Sequence, residues 1–152
     1  GDRVVISAVR DHGWTTRNAE RTFLAPVDRR GGEELLFDDY GREAALSPDA
    51  KKVLFTREGV EWTRKGYRGS QAGQIWLYDR EERTYRKLVG DEFGAASPVW
   101  KPDGKGFYYT AGKTHFDLHE YDLKTGQTRR LTEFPDDQVV HPCVSRDGRA
   151  VA

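Results

Sequence analysis

At 152 residues the chain has the length of one ordinary domain, and its 25 Lys plus Arg balance its 25 Asp plus Glu. A formal net charge of zero excludes a global field that would draw the chain onto nucleic acid or an anionic membrane surface. No run approaches the roughly 20 apolar residues that span a bilayer, no basic-then-apolar leader is seen, and the single Cys143 excludes an internal disulfide and has no partner at zinc-ligand spacing.

Taken in chain order, the sequence reads as short strands separated by turns. Arg3-Val4-Val5-Ile6-Ser7 opens as though a turn had just been passed, and an extension follows over residues 9–18. The turn Asp28-Arg29-Arg30-Gly31-Gly32 comes next, then the small apolar run Ala44-Ala45-Leu46, the turn Ser47-Pro48-Asp49-Ala50 and the strand Lys52-Val53-Leu54-Phe55-Thr56. Residues 57–73 are a long interruption. Beyond it, Gln74-Ile75-Trp76-Leu77-Tyr78 places Ile75 and Leu77 on one face and Trp76 and Tyr78 on the other. A sheet with two apolar faces must be covered on both.

The same series then recurs. Asp79-Arg80-Glu81-Glu82-Arg83 and the charged run Thr84-Tyr85-Arg86-Lys87-Leu88 lead to Pro98-Val99-Trp100, the turn Lys101-Pro102-Asp103-Gly104 and Gly106-Phe107-Tyr108-Tyr109-Thr110. Asp122-Leu123-Lys124-Thr125-Gly126 and Gln127-Thr128-Arg129-Arg130-Leu131 precede Pro142-Cys143-Val144 and Ser145-Arg146-Asp147-Gly148. Positions 48, 102 and 146 are 54 and 44 residues apart, and the second turn marker, at Asp28, Asp79 and Asp122, repeats at 51 and 43. Each Asp of that marker is followed nine positions on by an apolar residue: Phe37, Leu88 and Leu131.

Periods of about 40 to 50 residues filled with short strands are the range of propeller blades. The fold class is therefore all-β, a β-propeller segment of about three four-stranded antiparallel blades. The repeat units run approximately 1–49, 50–103 and 104–147, with the start of a fourth over 148–152, in one partial domain. Propellers close with typically four to eight blades, so the expectation is that the remaining blades of a longer chain, or a second copy, complete the ring. In the turns, proline presets φ, Asp caps through its side chain, and Gly takes the left-handed position. Ala50 stands where Gly would be easiest, which predicts strain there.

In such a blade the loops after the second and fourth strands share one end, opposite the tight turns. The interruptions at 9–18 and 57–73 both follow second strands, and in repeat proteins insertions gather on one face, often the binding face. The candidate binding residues are Trp14, Arg17, Trp62, Arg64, Lys65, Tyr67 and Arg68. Guanidinium beside aromatic rings suits carboxylates, phosphates and polypeptide; the other reading is that the loop packs over the next blade. Trp76, Tyr78, Trp100 and Phe107 fall in strand register and read as packing residues.

No catalytic constellation is present in the sequence. Gly69-Ser70-Gln71-Ala72-Gly73 lacks the glycine two residues before Ser70 that a nucleophile elbow needs. His12, His115, His119 and His141 lie apart with no metal-ligand spacing, and Cys143 on an inner strand reads as a small buried residue. Neither a metal nor another cofactor is expected. The expected partner is a peptide or protein, with no nucleic acid and no membrane, and the setting is soluble, in cytoplasm or periplasm.

Trp100-Lys101-Pro102-Asp103-Gly104-Lys105, Leu46-Ser47-Pro48-Asp49, Ile75-Trp76-Leu77-Tyr78-Asp79 and Arg130-Leu131-Thr132 resemble the repeats of TolB-type propellers. Such repeats also occur in prolyl-oligopeptidase-like and tricorn-type peptidases. Residues 62–76 resemble the six-bladed amino-terminal propeller of tricorn-type serine peptidases. That resemblance implies a propeller that does not cleave peptides itself but acts as scaffold and peptide-access filter for catalytic domains elsewhere, none of whose catalytic residues has a counterpart here. The alternative it leaves open is a TolB-like module that binds a protein partner.

Overall fold

The computed structural model describes residues 3–10, 20–28, 32–59, 66–90 and 93–152. Among them are three antiparallel sheets and no helix. The first contains β1 (Arg3–Ala8), β2 (Arg21–Pro26) and β3 (Glu34–Leu35), in that order. The second contains β4 (Arg42–Leu46), β5 (Lys52–Arg57), β6 (Gln74–Asp79) and β7 (Thr84–Val89), paired in chain order. The third repeats this with β8 (Ala95–Trp100), β9 (Gly106–Ala111), β10 (Asp117–Asp122) and β11 (Thr128–Arg130). A bridge between Val144 and Val151 begins a further pair. These are consecutive partial and complete blades of a β-propeller.

Burial of both faces of the middle sheet holds the blades together. Val53, Leu54 and Phe55 are fully buried, and the pleat sends them alternately to opposite neighbours. Val53 and Phe55 pack with Leu24, Leu36 and Phe37 of the first blade, the Phe37 and Phe55 rings lying 4.5 Å apart. Leu54, Ile75 and Leu77 pack with Trp100, Phe107, Tyr109 and Tyr121 of the third. Trp76 and Tyr78 lie against the first-blade layer, so β6 is apolar on both faces because both are covered. Full burial of one such side chain stabilises by about 1.5–3 kcal/mol.

The outer strands β7 and β11 are largely exposed and carry Arg86, Lys87, Arg129 and Arg130, charges that discourage edge-to-edge pairing. Of the three apolar positions nine residues beyond the Asp markers, Phe37 is buried, Leu88 is partly buried, and Leu131 is 37% exposed.

The repeated turns are joints between inner strands. Gly104 and Gly148 have φ of 67° and 70°, and Ala50 takes the same left-handed conformation at 59°, where a Cβ is strained. Asp49 Oδ1 accepts from Ser47 Oγ at 2.6 Å and Lys51 N at 3.1 Å, and Asp147 repeats both bonds with Ser145 and Arg149. In the outer turns Asp79 accepts from the backbone N–H groups of Glu81 and Glu82, and Asp122 from those of Lys124 and Thr125.

Two expectations need correction. Inner strands β4 and β8 begin two and three residues earlier than the apolar runs that mark them in the sequence. A one-residue bulge lies in each, and polar residues occupy it. Cys143 is exposed rather than buried, because the pair it begins has a single bridge and, among the described residues, a neighbouring blade on one side only.

Candidate functional site

The inner strands begin at the end of the blade that carries the long loops. Arg42 pairs with Thr56, one residue before β5 ends, and Ala95 pairs with Ala111 at the end of β9. Pairing then slips by one residue in both blades, between Arg42 and Ala45 and between Ala96 and Val99. Inside each slip a non-glycine residue turns left-handed: Glu43 at φ 52° and Ser97 at 53°. His141, six residues before Asp147 as Glu43 is before Asp49 and Ser97 before Asp103, repeats it at 50°. Ser97 and His141 each precede proline, which ordinarily drives the preceding residue to extended backbone. Three strained residues at one repeat position re-aim three side chains.

The Glu43 carboxylate reaches the other two positions, meeting the backbone of Ser97 and the side chain of His141. Glu43 Oε2 accepts from Thr56 Oγ1 at 2.8 Å within its own blade and from the Ser97 N–H at 2.9 Å in the next. Its Oε1 lies 4.0 Å from His141 Nδ1, on the segment beyond the third blade. Residues from three successive blades thus converge at the mouth of the axis on the long-loop face. Thr56 and Thr110 beneath them are buried, and Thr110 Oγ1 donates to Ala96 O at 3.1 Å.

The long loop rises beside this mouth. Its ends are closed by Gly59 N–H donating to Gln71 O at 2.9 Å, and its exit is tied to the third blade by Ala95 N–H donating to Gly73 O at 2.8 Å. A Cβ on Gly73 would collide with Ala95 O and one on Gly94 with Gly73 N, so this close approach requires glycine at both positions. The Arg68 guanidinium lies 4.8 Å from the centroid of the Phe93 ring, which Lys113 Nζ approaches from the third blade at 5.8 Å. Part of the loop therefore packs over the next blade.

Of the residues singled out in the sequence, Tyr67 and Arg68 lie on this loop, Tyr67 half-buried and Arg68 exposed. Trp14, Arg17, Trp62, Arg64 and Lys65 lie outside the described residues, as does His12. Trp100 and Phe107 are core residues, and Arg57 stacks over Trp76 at 5.3 Å while donating to Asp39 at 3.0 Å. Sequence reasoning passed over Glu43 and Ser97, and weighed His141 only as a metal ligand. Their shared place, six residues before the turn Asp, was the available signal.

Farther out on the same face Asp117 is a structural tie. Burial pushes its carboxyl up, but the Phe134 N–H, Thr132 hydroxyl and Arg130 guanidinium outweigh it and hold the group below its ordinary value. Among the described residues no group of three or more His, Cys, Asp or Glu is placed to hold a metal ion.

The fold is that of a TolB-like β-propeller, and tricorn-type protease propellers share it. No family model matches the chain. A curated relative, the Tol-Pal system protein TolB of Nitratidesulfovibrio vulgaris, is 31% identical over 86 residues, which cover 53% of this chain and 18% of that protein. The solved structure of a TolB from Agrobacterium tumefaciens, described as putative, superposes with a TM-score of 0.76 at 19% identity, over 99% of this chain and 49% of its own. The tricorn protease superposes with a TM-score of 0.55 at 17% identity, over 99% of this chain and 19% of its own. The chain thus spans about a fifth of the curated relative and half or less of these structures.

Proposed function

We propose that this propeller segment binds polypeptide on its long-loop face, as a TolB-like module that recognises a protein partner rather than a site of peptide cleavage. The observation that carries this reading is the convergence of Glu43, Ser97 and His141 at the axial mouth, with the aromatic and basic loop at its side. Strained backbone is kept where it positions groups for function, and an exposed loop on a rigid sheet scaffold is a usual place for binding residues. The closer superposition on a TolB structure than on the tricorn protease favours partner binding.

A second reading has the segment act as the peptide-access filter of a tricorn-like serine peptidase, favoured by the resemblance of residues 62–76 to that family. Under either, Trp14, Arg17, Trp62, Arg64, Lys65, Tyr67 and Arg68 are the proposed contact residues of the loops, and further blades, from the same chain or a second copy, complete the ring.

The test is to pan a random dodecapeptide display library against the intact protein. Sequences of micromolar affinity are expected, with Arg64→Ala plus Arg68→Ala weakening acidic or carboxylate-ended binders at least fivefold. Failure to enrich any sequence sinks the reading. The sequence following Ala152 separates the two versions, since a PDZ and serine-peptidase region there supports the filter.

A further inference from the structure

We propose that Glu43 anchors a positively charged group of the bound polypeptide, an amino terminus or a lysine or arginine side chain, at the axial mouth. This rests on the polypeptide-binding reading above. The two carboxylate oxygens have different surroundings. Oε2 is fixed by Thr56 Oγ1 and the Ser97 N–H, a clasp between blades. Oε1 has only His141 Nδ1 near it among the described residues, and 4.0 Å is too long for a hydrogen bond. An ionised carboxylate accepts about four such bonds, so acceptor capacity remains on the oxygen turned to the mouth.

The placement favours a cation over other occupants. The Glu43 side chain is 26% exposed, so a charge meeting it is attracted through a lower effective dielectric than in open water. The carboxylate is already held, so little freedom is lost when a partner docks. Nearby cations of the chain are directed elsewhere: Arg57 is paired with Asp39 and stacked on Trp76, and the Arg42 guanidinium lies against Gly59. The His141 side chain is 79% exposed among the described residues. One carboxylate with one imidazole gives two donors, whereas zinc takes four ligands and calcium six to eight.

Peptides selected by panning are resynthesised as found, with an acetylated amino terminus, and with each Lys and Arg replaced by norleucine. Their affinities are measured against the intact protein and its Glu43→Gln variant, whose amide oxygen still accepts from Thr56 and Ser97. One modification should weaken binding to the unsubstituted protein tenfold or more: acetylation if the group is the terminus, norleucine if it is a side chain. Glu43→Gln should bind weakly and lose that discrimination. Losses under tenfold with both modifications, or undiminished discrimination in Glu43→Gln, overturn the anchor while leaving polypeptide binding intact. Absence of any selected peptide overturns polypeptide binding itself. Should Glu43→Gln fail to fold, Glu43→Asp, which keeps the charge but shortens its reach, replaces it, and losses under tenfold with both modifications on the unsubstituted protein still overturn the anchor.

Discussion

The indole Nε1 of Trp100 donates to the carbonyl of Ala45 at 2.8 Å, pinning the inner strand of one blade to that of the next. Trp100 is buried, so the bond is shielded from water. Trp100→Phe keeps an aromatic ring but removes this bond between blades. Stability should fall by about 0.5–1.5 kcal/mol, the net worth of one such hydrogen bond, read from the midpoint of urea unfolding. An unchanged midpoint would show that the bond is dispensable.

Ala50 and Gly104 occupy equivalent turn positions with φ of 59° and 67°. Ala50→Gly should stabilise by about 0.5–1 kcal/mol, because the left-handed strain relieved exceeds the added backbone freedom of the unfolded chain. Gly104→Ala should destabilise by a similar amount. Opposite shifts of the thermal midpoint test the pair together.

The Asp117 carboxyl is held below its ordinary value by Phe134 N–H, Thr132 and Arg130 against the opposing effect of burial. A depressed carboxylate stabilises the fold above its unfolded value of about 3.8, and the contribution is lost as pH falls through the lower folded value. Asp117→Asn should therefore cost roughly 1–3 kcal/mol at pH 7, and the gap from the unsubstituted protein should narrow below pH 4. A gap independent of pH would mean that the carboxylate charge is not what ties residues 130–134.

Phe93 sits under Arg68 and Lys113, linking the loops of two blades. Phe93→Ala should raise the rate of limited proteolysis within residues 66–71 severalfold, with a stability loss of about 1 kcal/mol. Equal cleavage rates would show that the stack does not hold the loop.

How much of this was legible in the sequence depends on what each level of structure needs. The blades were readable because the turns demand particular residues: Asp49, Asp103 and Asp147 must each cap a backbone, and the chain repeats that demand at near-constant spacing. The two-faced burial of Ile75, Trp76, Leu77 and Tyr78 followed from alternation alone. The convergence at Glu43 did not. Alternation presumes an unbroken ladder, and the extra residue in β4 and β8 resets it. A Glu, a Ser and a His at one repeat position share no chemistry that comparing residue types would notice. Tyr67 and Arg68 were marked by the length of their loop, but the Phe93 ring that receives Arg68 comes from the connection to the next blade, and Lys113 meets it from that blade, a contact made only when blades stack.

The reversal of φ at 43, 97 and 141, set in a bulge at the first two, separates what each blade must share from what each can vary. The inner strand beyond it answers to the packing of its neighbours, while the residue at the reversal faces the opening, where Glu43 also clasps the next blade. Three such residues form a short word written across three blades, of which Glu, Ser and His are the present letters. Rewriting one letter alters the chemistry of the mouth, and rewriting Glu43 also loosens a clasp between two blades.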